Sequence, residues 1–183
     1  FSLGLLAAGL GWLYANDRPD DTEALLAFCA ECCGGQLREE LERLEVSAAL
    51  TAGERLYRES GHGGVRSEAA AGYPSVRGHA LPALRRFVDA GLSLNDAGAL
   101  TLLILLGETR DSNVYARGGL KAADNLAAAM RRLMRRERLP ETAEIAALNA
   151  EFIRGNISPG GAADLLAVTF FLYFLAERPA AAP

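Results

Sequence analysis

The stretch "NDAGALTLLILL" (Asn95–Leu106) decides the fold class. After Asn95 and Asp96 its only polar residue is Thr101. A segment that is apolar on every side must be buried on every side. It therefore predicts a central helix with other elements packed around it. The run Leu165–Leu175 has the same character. Both fall short of the roughly 20 residues that a membrane-spanning helix needs.

Outward from this centre, nearly every segment reads as helix. Residues 1–15, "FSLGLLAAGLGWLYA", form an apolar, small-residue helix suited to burial; they lack the basic leading region of a signal peptide. Asp20–Cys33 starts on Asp20, Asp21 and Thr22 as caps and is expected to end at Gly34–Gly35. Leu37–Leu44 reads as a short charged helix. "TAGE" is a capping box, with Thr51 at the N-cap and Glu54 at the third helical position, and its helix stops at Gly61. "HGGVRSEAAAGYPSV" reads as loop. Leu81–Ala90 is an amphipathic helix closed by Gly91. Gly118–Arg138 is a long helix ending in arginines, which suit the negative end of a helix dipole. Glu141–Arg154 follows Pro140, a good first helical residue. The last helix runs from "SPGG" to about Ala176, and the tail "ERPAAAP" is expected to fray. No alternating apolar and polar run supports a strand. The expected architecture is all-α: a bundle of about eight helices forming one domain over residues 1–183.

Bulk properties narrow the function. Half of the 183 residues are hydrophobic and 23% are charged, a globular balance. The net charge of −4 argues against nucleic-acid binding by bulk charge. Cys29, Cys32 and Cys33 cluster on one helix with no second Cys or His group to complete a metal site, so they read as reduced thiols of a cytoplasmic protein. His62 and His79 lack evident ligand partners and read as non-catalytic.

Three stretches carry polar residues that a bundle does not need. In "GVRSEAAAGYPSV" (Gly64–Val76), Arg66 and Glu68 stand two apart; they are either a surface pair or site residues. In "DSNVYARGG" (Asp111–Gly119), Arg117, Gly118 and Gly119 lead into a helix whose free N–H groups, with Lys121, make a natural anion site. Asp111 either holds a cation or caps a turn through its side chain. In "SPGGAADLLA" (Ser158–Ala167), Ser158 reads as N-cap and Pro159 as the first helical residue. Gly160 and Gly161 then occupy the first turn, where glycine costs up to about 1 kcal/mol each against alanine; close approach of another helix or of a ligand would explain them. Asp164 follows on an otherwise apolar helix, either stabilised by the dipole or facing a wet cleft.

In this order "RSEAAAGYPSV", "DSNVYARGG" and "SPGGAADLLAVTFFLYFL" resemble the blocks of triphosphoribosyl-dephospho-CoA synthases, and "FSLGLL" and "TAGERLYRESG" fit the same family. The resemblance covers essentially the whole chain. It implies an all-helical transferase serving citrate lyase or malonate decarboxylase, the latter branch looking slightly closer. The 2′-hydroxyl of 3′-dephospho-CoA displaces adenine from the ribose of ATP, and the product is the precursor of the acyl-carrier prosthetic group. Carried onto this chain, the resemblance implies Asp111, Asp164 and Glu68 as catalytic carboxylates and Asp111 and Asp164 as ligands of Mg²⁺. It implies Arg66, Asn113, Arg117, Gly118, Gly119, Lys121, Gly160 and Gly161 as substrate- and phosphate-binding positions.

The chain departs from the family pattern in three places. Ser67 stands where glycine is usual, and Ala116 where histidine is frequent. Blocks that precede "FSLGLL" in the family fall outside these residues. The expectation is the C-terminal two-thirds of a longer enzyme, completed by a missing N-terminal segment or a second chain, with homo-oligomerisation open. Nucleic acid and membrane are not expected partners. Two rival readings stand beside the transferase: an all-helical interaction module, and an all-α metal-dependent nucleotide hydrolase whose paired carboxylates would activate water.

Overall fold

A computed structural model describes residues 1–43 and 51–177. Among these residues there are nine α-helices and no strand. They are α1 (Ser2–Ala15), α2 (Thr22–Arg43), α3 (Ala52–Ser60), α4 (Val65–Ala70), α5 (Leu81–Asp89), α6 (Leu94–Glu108), α7 (Ser112–Met134), α8 (Thr142–Arg154) and α9 (Gly160–Ala176). A π-helical turn, Val76–Ala80, leads directly into α5.

α6 is the central helix, as its composition requires. Ala97, Leu100, Thr101, Leu103, Leu105 and Leu106 are all buried. Its neighbours are α5, α7, α9 and the π-turn. α9 is the second buried helix, with Leu165, Val168, Leu172 and Leu175 in the same core as Leu6 and Leu13 of α1 and Leu25 and Leu26 of α2. Each fully buried side chain of this kind contributes about 1.5–3 kcal/mol relative to exposure. Two buried hydroxyls are satisfied within their own helices: Thr101 donates to the Ala97 carbonyl and Thr169 to that of Leu165. A second apolar cluster, Leu84, Phe87, Ala97 and Leu100, joins α5 to α6. A third, Leu56, Val114, Tyr115 and Ala123, joins α3 to α7.

Several boundaries differ from the sequence expectation, each for a local reason. α2 does not end at Gly34–Gly35; it continues to Arg43, taking in residues 37–43 of the expected charged helix, while Leu44 lies outside the described residues. Glycine only weakens a helix, and a side chain at Gly34 would approach the Ala70 carbonyl of α4, against which α2 packs. The stretch 62–76 is not simply loop, because it contains α4 and the start of the π-turn. Within "DSNVYARGG" the helix has already begun at Ser112, since Asp111 is its N-cap. It ends at Met134, not Arg138. Pro140 precedes the N-cap Glu141 instead of opening α8, and a Glu141–Glu144 capping box starts that helix. Pro159, not Ser158, is the N-cap of α9. The Thr51–Glu54 capping box and the left-handed Gly61 cap of α3 are as expected. Residues 178–183 of the tail lie outside the described residues.

Candidate functional site

Asp111 is 5% exposed, a rare environment for a carboxylate without a purpose. Its Oδ1 accepts the backbone N–H groups of Asn113 (2.8 Å) and Val114 (3.2 Å), capping α7. Its Oδ2 accepts the N–H of Ala162 at 2.8 Å, in the first turn of α9. One side chain therefore ties two helix N-termini together. The glycines of "SPGG" follow from this contact. A Cβ at Gly161 would lie 3.2 Å from Asp111 Oδ2, and one at Gly160 only 2.4 Å from the Asn113 amide nitrogen. Close approach of a second helix, anticipated from the cost of those glycines, is what they permit.

Glu68 does comparable work on the other wall. Its Oε1 accepts the Ser75 hydroxyl at 2.6 Å and its Oε2 the Ser75 N–H at 3.0 Å. The corner between them holds Tyr73 in the left-handed region (φ 57°), with its N–H on the Glu68 carbonyl at 2.7 Å. Burial pushes the Tyr73 hydroxyl up to about 12; the neighbouring Ser2 hydroxyl offsets part of the rise, although neither completes a hydrogen bond of normal geometry. Burial likewise raises the Cys29 thiol to about 12 and that of Cys33 above its ordinary value. Ser67 accepts the Gly63 N–H at 2.9 Å and so fixes the loop that follows α3.

These elements enclose an open cleft of about 890 Å³, within the range of small-molecule sites. Its walls come from the Gly61–Gly64 loop, α4, Glu108–Ser112 and the start of α9, with Gly34 and Tyr57 completing it. Of the residues singled out from sequence, Glu68, Asp111 and Gly161 line the cleft. Asn113 and Gly160 meet each other beside Asp111. The others stand apart from the lining. Arg117 is exposed and donates to the Asn156 carbonyl; Gly118, Gly119 and Lys121 are exposed beside it. Gly119 has φ 72° and ψ −176°, a conformation essentially restricted to glycine; it breaks α7 into two helical segments, the second of which starts after it, as the sequence leads one to expect. Arg66 is exposed on α4, and its charge acts on Glu54 and Cys33. Asp164 is exposed on α9, beyond its first turn, and makes no hydrogen bond or ion pair among the described residues; its carboxylate is solvated.

The cleft also contains Glu108 and Arg110, which sequence reasoning passed over, and His62, which it set aside as non-catalytic. The same three, with Thr109, border a smaller cavity of about 190 Å³ that Asp124, Ala127 and Arg131 complete. Arg110 pairs with Asp124, Nε to Oδ1 at 2.6 Å. No local anomaly marks these positions, because the loop after α3 meets the end of α6 only in three dimensions. Among the described residues no three His, Cys, Asp or Glu side chains gather in a way that could hold a metal ion, and no helix is long and apolar enough to cross a membrane.

Comparison with known proteins gives the fold and cleft a context. Residues 1–182 match the CitG family model, described as ATP:dephospho-CoA triphosphoribosyl transferase. The 2-(5''-triphosphoribosyl)-3'-dephosphocoenzyme-A synthase of Pectobacterium atrosepticum is 40% identical over 174 residues, 94% of this chain and 56% of the relative. A protein of Vibrio cholerae with the same name, qualified as probable, is 36% identical over 182 residues, 97% of this chain and 58% of the relative. The chain thus spans a little over half the length of these curated relatives. No solved structure matches it.

Proposed function

Because the chain belongs to the family of ATP:dephospho-CoA triphosphoribosyl transferases, we propose that it carries the transferase site in the Asp111–Glu68 cleft. The observation that carries this reading is the extent of the likeness. Identity of 36–40% runs through 94–97% of the chain and so through every element that builds the cleft. An oxygen of 3′-dephospho-CoA forms a bond to the anomeric carbon of ATP, and the bond from that carbon to adenine breaks with its electron pair leaving on the base. The proton lost by the attacking hydroxyl is balanced by one gained by adenine. The triphosphate stays on the product, the precursor of the prosthetic group of malonate decarboxylase or citrate lyase. The proposed substrates, ATP and dephospho-CoA, suit a cytoplasmic protein.

The residues divide the work by position. Asp111 and Glu68 hold the walls; Asp111 spends three of its roughly four lone-pair sites on backbone N–H groups. Each acts first through geometry, and the oxygen edge that faces the cleft is where a hydroxyl proton or a developing positive charge would be met. Mg²⁺ bound by phosphates needs only one or two protein carboxylates. Asp111 fits such a single contact through Oδ2, and Asp164, exposed away from the cleft lining, is not needed for it. Arg66, Arg117 and Lys121, all outside that lining, are the candidates for the outer phosphates. The unmatched part of the relatives supplies further walls, from the same polypeptide or a second chain.

The deciding assay incubates ATP, Mg²⁺ and dephospho-CoA with the chain alone and with the chain extended by the unmatched part of the Pectobacterium relative. Free adenine together with a product of added triphosphoribosyl mass is expected. Phosphate release without adenine would establish the hydrolase reading, and an absence of nucleotide binding in both forms would establish the interaction module.

A further inference from the structure

The small cavity beside the cleft asks for a ligand of its own. At about 190 Å³ it lies below the ~300–1,000 Å³ of a drug-sized site, so it takes a fragment of a nucleotide and not the whole. It adjoins the main cleft, since His62, Glu108, Thr109 and Arg110 line both spaces. A fragment in it would therefore remain attached to a body lying in the cleft.

Its lining selects the fragment. Two guanidinium groups, Arg110 and Arg131, face two carboxylates, Glu108 and Asp124, and the charges cancel. A phosphate would meet both carboxylates, and an ammonium group both guanidinium groups. A flat uncharged heterocycle with donors and acceptors around its edge meets each at a favourable place. Capacity for such contacts is unspent. Arg131 gives one N–H to the Gly107 carbonyl and retains others of its five. Asp124 uses Oδ1 on Arg110, leaving Oδ2. Glu108 accepts no hydrogen bond among the described residues; His79 Nε2 stands 4.0 Å from its Oε2.

We propose that this side cavity is the purine subsite, holding the adenine ring of ATP while its ribose and triphosphate lie in the main cleft. The assignment rests on the transferase reading above and adds where the leaving group is held. The exocyclic amine donates to Glu108 or Asp124, and a ring nitrogen accepts from Arg110 or Arg131. As the bond to the anomeric carbon breaks, its electron pair passes to the base. A guanidinium hydrogen bond to the ring stabilises that charge until the base gains its proton. The bond that breaks then sits at the mouth shared by the two spaces.

The test compares adenine, ATP and inorganic tripolyphosphate on the wild-type chain and two variants. Ala127→Met fills the cavity from α7, and Glu108→Gln replaces a charged acceptor at constant size; circular dichroism checks that each folds. Saturation-transfer NMR follows adenine, and calorimetry follows the other two ligands. Adenine is expected to bind the wild type, with both variants losing about tenfold in adenine and ATP affinity, the scale of one charge-assisted contact. Tripolyphosphate affinity should stay within about twofold. Unchanged adenine and ATP binding in both folded variants would overturn the subsite while leaving the transferase reading intact. So would a loss confined to tripolyphosphate, which would make the cavity a phosphate site. Failure of ATP to bind either the wild-type chain or the chain extended by the unmatched part of the Pectobacterium relative would overturn both.

Discussion

Asp111 accepts three backbone N–H groups with two oxygens, and the N–H it accepts from α9 belongs to a residue 51 positions away. Its removal therefore uncaps two helices at once and leaves the Ala162 N–H buried without a partner. Each cap is worth about 1 kcal/mol and the buried donor about as much again, so Asp111→Ala should cost about 2–4 kcal/mol in urea denaturation. Asp111→Asn keeps Oδ1 for α7 but turns an amide N–H₂ toward Ala162, and about half that loss is expected. An Asn variant as stable as the parent would rule out the double cap. Tyr73 and Cys29 set a second expectation at this scale. Burial holds both near 12 in the folded chain, against ordinary values of 10.0 and 9.0. Below about pH 9 both are protonated whether folded or unfolded, and their contribution is fully present. Above it the unfolded chain releases protons first, so stability should fall steadily toward pH 12. Tyr73→Phe removes a hydroxyl that completes no hydrogen bond and should flatten that fall at little cost near neutrality; denaturation midpoints from pH 8 to 11.5 check it. Asp111 was legible as an anomaly but not as a double cap, because one of its three partners arrives from another helix. Glu108 and Arg110 were illegible, since nothing in their immediate sequence is unusual, and His62 was set aside for want of partners that only the folded chain brings near.

At the scale of elements, the sequence reading succeeded where a signal is local. The capping box at Thr51, the apolar α6 and the glycine close of α3 and α5 each depend on neighbours within a turn or two. It failed where a glycine's role depends on packing. Gly35 was read as a stop, yet it lies inside α2 with nothing within 4 Å of where a Cβ would stand. Gly35→Ala should thus stabilise the chain by up to about 1 kcal/mol, with a raised melting temperature as the readout. Gly119 also has open space around it, but its φ of 72° with ψ −176° excludes a side chain for conformational reasons. Gly119→Ala should destabilise by about 1–3 kcal/mol. Two exposed glycines in helices, with equal room for a methyl group, are expected to respond with opposite signs. If both substitutions shift the midpoint in the same direction, the kink in α7 is not imposed by Gly119.

For the whole molecule, the cleft and α8 should behave as separate regimes. The cleft draws on α2, α4, α9, the loop after α3 and the segment from α6 to α7, so its walls separate only if the bundle opens. A ligand there stabilises the entire fold, by about 2.7 kcal/mol at a hundred times its dissociation constant. α8 has no buried residue and contributes none to the cleft. Ile145, Leu148 and Phe152 rest partly covered on the core. Its exposed tethers are Glu144 with Arg136 and Arg138, and the Arg117 contact to Asn156 that follows it. Amide exchange in α8 should therefore proceed by local opening, well ahead of α6, and ATP should slow exchange in α6 and α9 but leave α8 nearly unchanged. The tethers also give α8 its own dependence on conditions. Salt screens exposed pairs. The Glu144 carboxyl is held below its ordinary value, first by the Glu141 N–H and then by Arg138 and Arg136. A lowered carboxyl contributes above its unfolded value and loses that contribution as pH falls through the folded one. Exchange in α8 should accordingly quicken in high salt and, after correction for intrinsic rates, on acidification through the carboxylate range, at conditions where α6 remains protected. Equal protection of α8 and α6, or their joint response to salt, would mean that α8 unfolds only with the core.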